Sequence, residues 1–335
     1  MPPSPTPADW PVLVTGAGGF VGGHVARQLA RSGFRVRGLA RRPPSCRPED
    51  PPIEWMLGDL RDADVRAAAV RGMRGVIHSA AWVSLRGDSS GICREINLQA
   101  TRELLDEAVR EGVERFVLTS TLHTLATGTP EAPADETTPW NLQAVDSPYC
   151  QSKREVERDV LQAGLAGRLS TVVLCPGMVI GPRDPKPTST RLIHLLARSR
   201  VAFLPPGGIP IVDASVVALA HQRALTAGGT GQRYAIVGPY LSYPRLAALV
   251  ARISGRPRRV VILPPASEGF WKGLAFLCER WGIGGEFSVA AVGGGFLSLH
   301  VTGRRADACY GLVHPEAEET IRSALDDPQP PLATR

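Results

Sequence analysis

Short apolar runs alternate with helical repeats through the first half of the chain. The run Val12-Leu13-Val14 ends at glycines, and apolar residues then recur at helical spacing from Val21 to Leu29. Uninterrupted apolar runs of this length are typical of parallel strands that are buried on both faces. Further strands are predicted at 34–40, 53–57, 75–79, 115–119, 170–175 and 232–237, and further helices at 62–71, 95–111, 147–163, 241–253 and 315–325. This alternation indicates an α/β fold with a doubly wound parallel sheet.

The first strand runs into a glycine-rich turn that opens a helix, from Thr15 to Gly22. The common dinucleotide pattern has glycines at its first, third and sixth places, and Val21 stands at the sixth place here. Glycines recur instead every three residues, at Gly16, Gly19 and Gly22. Because an apolar strand precedes the turn and an amphipathic helix follows it, we interpret it as a cradle for a dinucleotide pyrophosphate. Phe20 and Val21 then begin the helix that faces the phosphates.

The second strand ends in a basic pair instead of an acidic residue. A carboxylate at this place accepts the ribose hydroxyls of NAD, whereas an arginine pairs with the 2′-phosphate of NADP. The strand here ends Leu39-Ala40 and continues into Arg41 and Arg42. We therefore expect NADP(H) to be preferred over NAD(H), although a solvated basic loop is the alternative explanation.

The chain divides into a regular part and a looser part that is rich in proline. We expect 1–10 to be a disordered lead-in and 11–180 to be a dinucleotide-binding domain of Rossmann type, to which 211–237 return. The remaining segments, 181–210 and 238–330, are predicted to form a smaller interwoven domain that covers the substrate like a lid.

Composition is that of an ordinary globular protein, with 335 residues, 43% hydrophobic and 21% charged. The net charge of +6 does not come with aromatic residues interleaved among the basic ones, so nucleic-acid binding is not predicted. The six cysteines are scattered without metal-ligand spacing, which predicts reduced thiols, no metal site and a cytoplasmic protein. We expect no transmembrane segment, because no apolar run reaches the length of a spanning helix.

A phenol and an ammonium lie four residues apart on the helix predicted at 147–163. This spacing places Tyr149 and Lys153 on one face, one turn apart. A phenol becomes a useful acid–base catalyst when a nearby ammonium stabilises its phenolate. Alone the spacing is common, but about 130 residues after a glycine turn it indicates an active site.

With these motifs the chain resembles an extended short-chain dehydrogenase/reductase of the NAD-dependent epimerase/dehydratase type. The resemblance covers roughly residues 11–250. Besides the glycine turn and the Tyr/Lys pair, the matching segments are Gly58-Asp59-Leu60, Ser79-Ala80-Ala81, Asn97 with Ala100-Thr101, Thr119-Ser120-Thr121, and Pro176-Gly177-Met178-Val179 with Gly181-Pro182.

The resemblance implies a role for each matching residue. Tyr149 would be the general acid/base, and Lys153 would bind the nicotinamide ribose and tune Tyr149. Thr121 would contact the substrate oxygen, with Ser120 as the reserve hydroxyl, and Asn97 would support the site. The residues implied to line the cofactor are Asp59 and Leu60 at the adenine, Ala80 and Ala81 at the pyrophosphate and ribose, Thr119 at the strand end, and Pro176, Met178 and Val179 at the nicotinamide.

Three departures from the family pattern bear on the reaction. Dehydratases carry an acidic pair after the hydroxyl residue, where this chain has Leu122-His123. Cys175 replaces an arginine that is usual before Pro176, and 211–216 lacks a second aspartate. The segment from Gly181 to Thr188 instead resembles the branch that contains dihydroflavonol-reductase-like and 3β-hydroxysteroid-dehydrogenase-like proteins.

The branch implies an NADP(H)-dependent enzyme that interconverts a ketone and a secondary alcohol on a moderately apolar small molecule. A sugar-nucleotide epimerase with tightly bound NAD is the second hypothesis, and a non-catalytic NADP-binding sensor is the third. A homodimer is expected by analogy with the family.

One apolar stretch, Gly269–Trp281, falls outside the matched motifs. It is rich in aromatic residues and leucine. A helix packed in the core is the main prediction, while a pocket lining or a peripheral contact with a membrane surface is the alternative.

Overall fold

A seven-stranded parallel sheet forms the centre of the fold. The computed structural model describes residues 7–83, 91–145, 147–185, 189–281, 283 and 287–327. Within them the strands of this sheet are β1 (Val12–Thr15), β2 (Val36–Ala40), β3 (Glu54–Leu57), β4 (Gly75–His78), β5 (Arg115–Thr119), β6 (Ser170–Pro176) and β10 (Gln232–Ile236). Their order is β10-β6-β5-β4-β1-β2-β3, and all neighbours pair in parallel. The predicted fold class is confirmed.

Helices cover both faces of this sheet. Those on one face are α2 (Ala63–Val70), α3 (Ala100–Arg110) and α4 (Pro148–Leu165), and those on the other are α1 (Phe20–Arg31), α6 (Ala214–Ala224) and α10 (Arg304–Tyr310). The first group packs through a core cluster that includes Leu104 and Phe116. The second group packs through a cluster that includes Val14 and Ile77. Strand residues pointing to both sides are buried, as the uninterrupted apolar runs predict.

Two smaller sheets and the remaining helices lie outside these layers. The strands are β7 (Met178–Ile180), β9 (Gly208–Asp213) and β11 (Tyr240–Ser242) in one sheet, and β8 (Val201–Leu204) and β12 (Arg259–Ile262) in the other. The helices are α5 (Ser189–Arg198), α7 (Tyr243–Ser254), α8 (Glu268–Arg280), α9 (Val289–Phe296) and α11 (Ala317–Asp326). A third core cluster, around Ile193, Leu246 and Ile321, joins α5, α7 and α11.

The two parts of the chain are interwoven. From the segment 211–237, α6 and β10 belong to the layers of the large sheet, whereas residues 211–213 belong to β9 in the three-stranded sheet. Helix α10 also packs against the large sheet, although it lies far along the chain. That the smaller part covers a substrate stays a prediction.

Residues 7–10, the described part of the expected lead-in at 1–10, are structured. Pro7–Asp9 forms a short 3₁₀ turn, and Trp10 is buried beside the second core cluster. The guanidinium carbon of Arg74 lies 5.0 Å from the centroid of the Trp10 ring. The burial of Trp10 and its cation–π contact with Arg74 hold residues 7–10 in place.

The helix predicted at 95–111 has two parts. Arg94–Gln99 is a π-helix, and α3 continues from it. The wider turn of this π-helix carries Asn97, whose side-chain oxygen and nitrogen are both hydrogen-bonded. A π-turn within a longer helix often marks a functional position.

The strand order reverses between the neighbouring strands β1 and β4. A parallel sheet of this kind binds its ligand in the crevice that forms at this reversal, beyond the carboxyl ends of the strands. Gly16, at φ 69°, leaves β1 here, and a Cβ on it would lie 2.7 Å from the Ala80 backbone nitrogen. The two strand ends approach so closely that a side chain at Gly16 has no room.

Gly16→Ala should destabilise the protein more than Gly72→Ala does. Both glycines have positive φ, 69° and 74°, so alanine costs roughly 1–2 kcal/mol at either position. A Cβ on Gly72 meets nothing within 4 Å, whereas one on Gly16 overlaps backbone atoms of Ala80. We therefore expect Gly16→Ala to lower the free energy of unfolding by about 1–3 kcal/mol more. Urea unfolding of the two variants measures this difference, and equal losses would contradict it.

Candidate active site

The glycine turn presents unpaired backbone donors at the start of α1. Gly19 caps this helix with extended backbone and no side-chain acceptor, and its N–H donates to the Gly16 carbonyl oxygen at 2.8 Å. A Cβ on Gly22 would collide with that same carbonyl. Phe20 and Val21 are the first residues of α1. The turn is therefore narrow enough, and its helix end open enough, for a pyrophosphate to lie against it.

The basic residues after β2 lie at the expected edge of this crevice. Arg41 and Arg42 follow β2 directly and are exposed. Asp59, after β3, accepts two hydrogen bonds from the Arg61 guanidinium, and these bonds, together with the charges of Arg61 and Arg41, lower the pKa of Asp59 to about 2. Leu60 beside it is buried. Arg41 and Arg61 therefore place positive charge beside Asp59 at this end of β3.

Tyr149, Thr121 and Lys153 come together at the carboxyl end of β5. Ser147 caps α4 by accepting a hydrogen bond from the Cys150 N–H at 3.2 Å, which fixes the turn that carries Tyr149. The Thr121 side chain lies close enough to Tyr149 to lower the pKa of its phenol, and its hydroxyl lies 3.3 Å from Nδ1 of His123. Burial raises the pKa of Tyr149 above its ordinary value, so the free protein holds a protonated phenol at neutral pH.

Lys153 lies buried one turn further along α4. Its ammonium donates a hydrogen bond to the Thr119 carbonyl oxygen at 2.7 Å. Burial lowers the pKa of Lys153 to about 8, and the Glu157 carboxylate acts in the opposite direction. The Tyr149 and Lys153 side chains therefore share one buried face of α4, as their spacing indicates.

Thr119 also anchors a buried chain of neutral groups. Its hydroxyl lies 2.6 Å from the Ser79 hydroxyl and 2.8 Å from Nε2 of His221. The His221 Nδ1 lies 2.7 Å from the Val217 carbonyl oxygen, to which it donates. Burial lowers the pKa of His221 to about 4, so the ring is neutral. This chain fixes the ends of β4 and β5 against α6.

A second buried histidine joins β1 to α3. The His78 ring nitrogens lie 2.7 Å from the Thr15 hydroxyl and 2.8 Å from the Thr101 hydroxyl. Burial, together with the charge of Lys153, lowers the pKa of His78 to about 3. The strand end that precedes the glycine turn is thus held by an uncharged link.

Asn97 fixes the backbone beyond β4 to the helix that carries Tyr149. Its side-chain oxygen accepts from the Trp82 N–H at 2.7 Å, and its amide donates to the Trp82 carbonyl at 2.9 Å and to Ser152 at 3.1 Å. Ser152 donates in turn to the Tyr149 carbonyl oxygen at 2.8 Å. Asn97 is thus placed to support the site, as the resemblance implies.

The Ser120 hydroxyl is occupied behind the site. It donates to Glu157 at 2.7 Å, and Arg233 donates to the other carboxylate oxygen of Glu157 at 3.0 Å. Cys175 also contacts this carboxylate, with its sulfur 3.7 Å away. Ser120 is thus bound to a buried carboxylate, whereas Thr121 lies beside Tyr149 with its hydroxyl 3.3 Å from Nδ1 of His123; that Thr121 contacts the substrate stays a prediction.

The remaining predicted residues follow neighbouring strands at the same edge of the sheet. Ala80 and Ala81 follow β4, and the Ala80 N–H donates to the Thr15 hydroxyl at 3.3 Å. Pro176 ends β6, and Met178 and Val179 lie in β7. All therefore lie beyond carboxyl ends of parallel strands, where a dinucleotide would extend along the crevice.

Some neighbours of the site carry no sequence motif. Cys93 and Cys150 form a small buried cluster with Tyr149 and help to raise its pKa. His221 meets Thr119 across 102 residues, so no local pattern could indicate it. Glu157 follows Lys153 by four residues, and helical spacing alone places it on the face of Tyr149 and Lys153. That signal was present in the sequence.

Two features are absent from the part of the chain that the structure describes. Among these residues, no group of three or more His, Cys, Asp or Glu side chains is arranged to hold a metal ion. None of its helices combines the length and the apolar character that a membrane crossing needs.

Comparison with known proteins identifies the family. A model described as the NAD dependent epimerase/dehydratase family matches residues 12–206, more than half of the chain. The chain belongs to this family. The predicted family is therefore confirmed, and so is the predicted enzyme class, an NAD(P)-dependent oxidoreductase of the short-chain dehydrogenase/reductase type.

The curated relatives of this epimerase/dehydratase family member are named as reductases, dehydrogenases and related enzymes. A Synechocystis protein, whose name assigns it provisionally as a dihydroflavonol 4-reductase, is 33% identical over 79% of this chain and 77% of its own length. Sterol demethylase protein B of Methylococcus capsulatus is 29% identical over 79% and 80%. A 3 beta-hydroxysteroid dehydrogenase/Delta 5→4-isomerase of Mycobacterium tuberculosis is 38% identical over 50% and 46%.

Solved structures of similar fold cover nearly the whole chain. The crystal structure of gox2253 has a TM-score of 0.77 at 28% identity and covers 95% of this chain and 97% of that one. UDP-glucose 4-epimerase of Thermus thermophilus, in complex with NAD, has a TM-score of 0.74 at 24% identity and covers 94% and 98%. The second likeness shows the shared fold alone.

Lys153 should titrate near pH 8, below the ordinary pKa of a lysine side chain. The chain has three lysines, Lys153, Lys186 and Lys272, so ε-carbon-labelled lysine gives one NMR resonance for each. Glu157→Gln removes the charge that opposes the desolvation of Lys153, and should lower its pKa further. Glu155→Gln, on the same helix but half-exposed, is the matched control and should leave the pKa unchanged.

A Lys153 resonance that titrates at the ordinary pKa of a lysine side chain would contradict the burial argument. Equal shifts from Glu157→Gln and Glu155→Gln would contradict the specific role of Glu157. The Lys272→Arg variant assigns one of the two remaining resonances independently.

Proposed function

We propose that the chain is an NADP(H)-dependent oxidoreductase that interconverts a ketone and a secondary alcohol on a moderately apolar small molecule. The observation that carries the proposal is the arrangement at the end of β5, where Thr121 lies beside buried Tyr149 and the ammonium of buried Lys153, one turn along α4, donates to the Thr119 carbonyl oxygen. Two hydroxyls converge there on a position that a carbonyl oxygen would occupy.

In the direction of reduction, Tyr149 acts as the acid. The bound reduced nicotinamide supplies a hydride to the carbonyl carbon of the substrate. Tyr149 donates its proton to the carbonyl oxygen, and Thr121 holds that oxygen by a hydrogen bond. Because burial keeps Tyr149 protonated, the donor is ready before the substrate arrives. Lys153 binds the nicotinamide ribose and stabilises the phenolate that the proton transfer leaves behind.

The preference for NADP(H) rests on the charges beyond β2. Arg41 and Arg42 are exposed at the end of this strand, where NAD-binding proteins place a carboxylate. Asp59, which lies nearby, is already paired with Arg61. A 2′-phosphate at this edge would meet guanidinium groups that hold no internal acceptor in the described part of the chain.

The side chains near Tyr149 favour an apolar substrate. Trp82 and Val83, held beside the site through Asn97, are exposed. Desolvation lowers the pKa of His123, next to Thr121, to about 4, so this ring is neutral. The curated relatives named for dihydroflavonol and hydroxysteroid substrates agree with this chemistry.

A sugar-nucleotide epimerase with tightly bound NAD is the second candidate. The same Tyr/Lys geometry serves it, and the Thermus thermophilus epimerase shares the fold. Coenzyme exchange separates the two, because an epimerase retains its coenzyme through turnover while a reductase releases it. A homodimer, by family analogy, remains a prediction for either function.

Tyr149→Phe should abolish ketone reduction while leaving NADPH binding intact. Loss of a positioned general acid lowers the rate by about 100- to 10,000-fold. NADPH absorbance, followed with a panel of aromatic, steroid and aliphatic ketones, measures turnover, and fluorescence titration measures binding. Tyr310→Phe is the matched control, because Tyr310 is a buried tyrosine on the far side of the sheet and should not affect turnover.

Full activity of Tyr149→Phe would refute its catalytic role. If no ketone is turned over and the purified protein retains NAD, the reductase proposal fails in favour of the epimerase.

Arg41→Ala should weaken NADPH binding and spare NADH. Loss of one charge-assisted hydrogen bond to the 2′-phosphate should raise the Kd for NADPH by roughly tenfold. Arg35→Ala is the matched control, since Arg35 is exposed directly before β2, at the opposite end of the same strand. Equal weakening of both coenzymes by Arg41→Ala would remove the argument for NADP(H).

A further inference from the structure

Helix α8 turns an apolar stripe away from the protein. Phe270, Leu274, Leu277 and Trp281 recur at helical spacing, and we call these four residues the apolar stripe. All four are exposed, Phe270 and Trp281 by 68% each. The sequence predicted a helix packed in the core, but these four side chains are exposed.

The opposite side of α8 makes the contacts with the protein. Ala275, the buried residue of this helix, lies on that side. Lys272 is paired with Glu268 at 2.6 Å, and a Cβ on Gly293 of α9 would lie 3.3 Å from the Lys272 stem. The helix therefore packs through a side that includes Ala275 and Lys272 and leaves the four large residues of the apolar stripe in water, which is the reverse of an ordinary surface helix.

The neighbouring two-stranded sheet continues this exposure. Val201 and Phe203 alternate with buried residues along β8, so both point outward. Ile262 is exposed at the end of β12, and residues 263–267 lead from it into α8. Exposed apolar groups thus extend from the sheet to the helix.

Basic residues surround the other end of the two strands. Arg198, Arg200, Arg256 and Arg259 are exposed there, and the Arg259 N–H donates to the Arg200 carbonyl at 2.9 Å. No salt bridge in the described part of the chain involves these four side chains. Between positions 189 and 283 the sequence has twelve Lys or Arg residues and three Asp or Glu residues, so the positive net charge of the protein originates there.

We propose that α8 and the β8/β12 sheet dock on an anionic membrane surface. The apolar stripe would enter the boundary between headgroups and acyl chains, and the arginines would meet lipid phosphates. A second copy of the chain fits less well, because a symmetric contact through this surface would bring like charges together. The proposal is independent of the reaction, since neither element carries a residue placed in the active site.

Flotation with lipid vesicles tests the proposal on the full-length protein. Wild-type protein should float with vesicles of phosphatidylcholine and phosphatidylglycerol, and much less with phosphatidylcholine alone. Phe270→Ser combined with Trp281→Ser should reduce vesicle binding by about tenfold or more, because two large apolar side chains are lost from the interface. Arg256→Gln combined with Arg259→Gln should weaken binding to the anionic vesicles and reduce its dependence on salt.

The matched control is Leu165→Ser combined with Val313→Ser, which removes equally exposed apolar side chains, 71% and 83% exposed, from other surfaces. This variant should float like the wild type. Absence of flotation by the wild type, or equal loss in the control and the stripe variant, would overturn the proposal. So would a dimer in sedimentation that the stripe variant abolishes without any vesicle binding, because a second copy would then occupy the surface.

Discussion

The buried ammonium of Lys153 donates to the Thr119 carbonyl at 2.7 Å, and the arrangement of the site depends on this contact. An ammonium away from water is costly unless it is paired and hydrogen-bonded, so Lys153 requires this acceptor together with the nearby charge of Glu157. The contact joins α4 to the end of β5. Because Tyr149 lies one turn before Lys153 and Thr121 lies two residues after Thr119, the contact between Lys153 and Thr119 also brings Tyr149 and Thr121 close together.

Neutral histidines support the strand ends around this cation. His78 joins Thr15 to Thr101, and His221 holds the hydroxyl of Thr119. Burial lowers the pKa of both rings far below neutral pH, so they link polar groups without adding charge. A protonated ring would repel Lys153 and weaken the interaction on which the site rests. The two histidines thus hold the groups around the charged Lys153 in place while they remain uncharged.

The sequence could predict what depends on local spacing. Alternating apolar runs indicated the seven-stranded sheet, and the spacing of Tyr149 and Lys153 indicated a shared helix face that the structure has. Short strands such as β7 and β11, three residues each, carry too few positions for a recognisable pattern. The contact of His221 with Thr119 spans 102 residues and depends on packing, which no motif records. The hydrogen bond of Ser120 to Glu157 likewise depends on packing.

Helix α8 shows a different limit of sequence patterns. Helical periodicity identifies which residues share a side, but it does not say whether that side faces the protein or the solvent. Here the side of α8 that carries buried Ala275 and the Lys272 stem packs toward the protein, and a Cβ on Gly293 of α9 would lie 3.3 Å from that stem. In the large sheet the apolar residues of the pattern are buried, whereas the apolar stripe of α8 is exposed. The stripe lies near a surface with excess positive charge. An exposed apolar surface of this kind often marks a binding site.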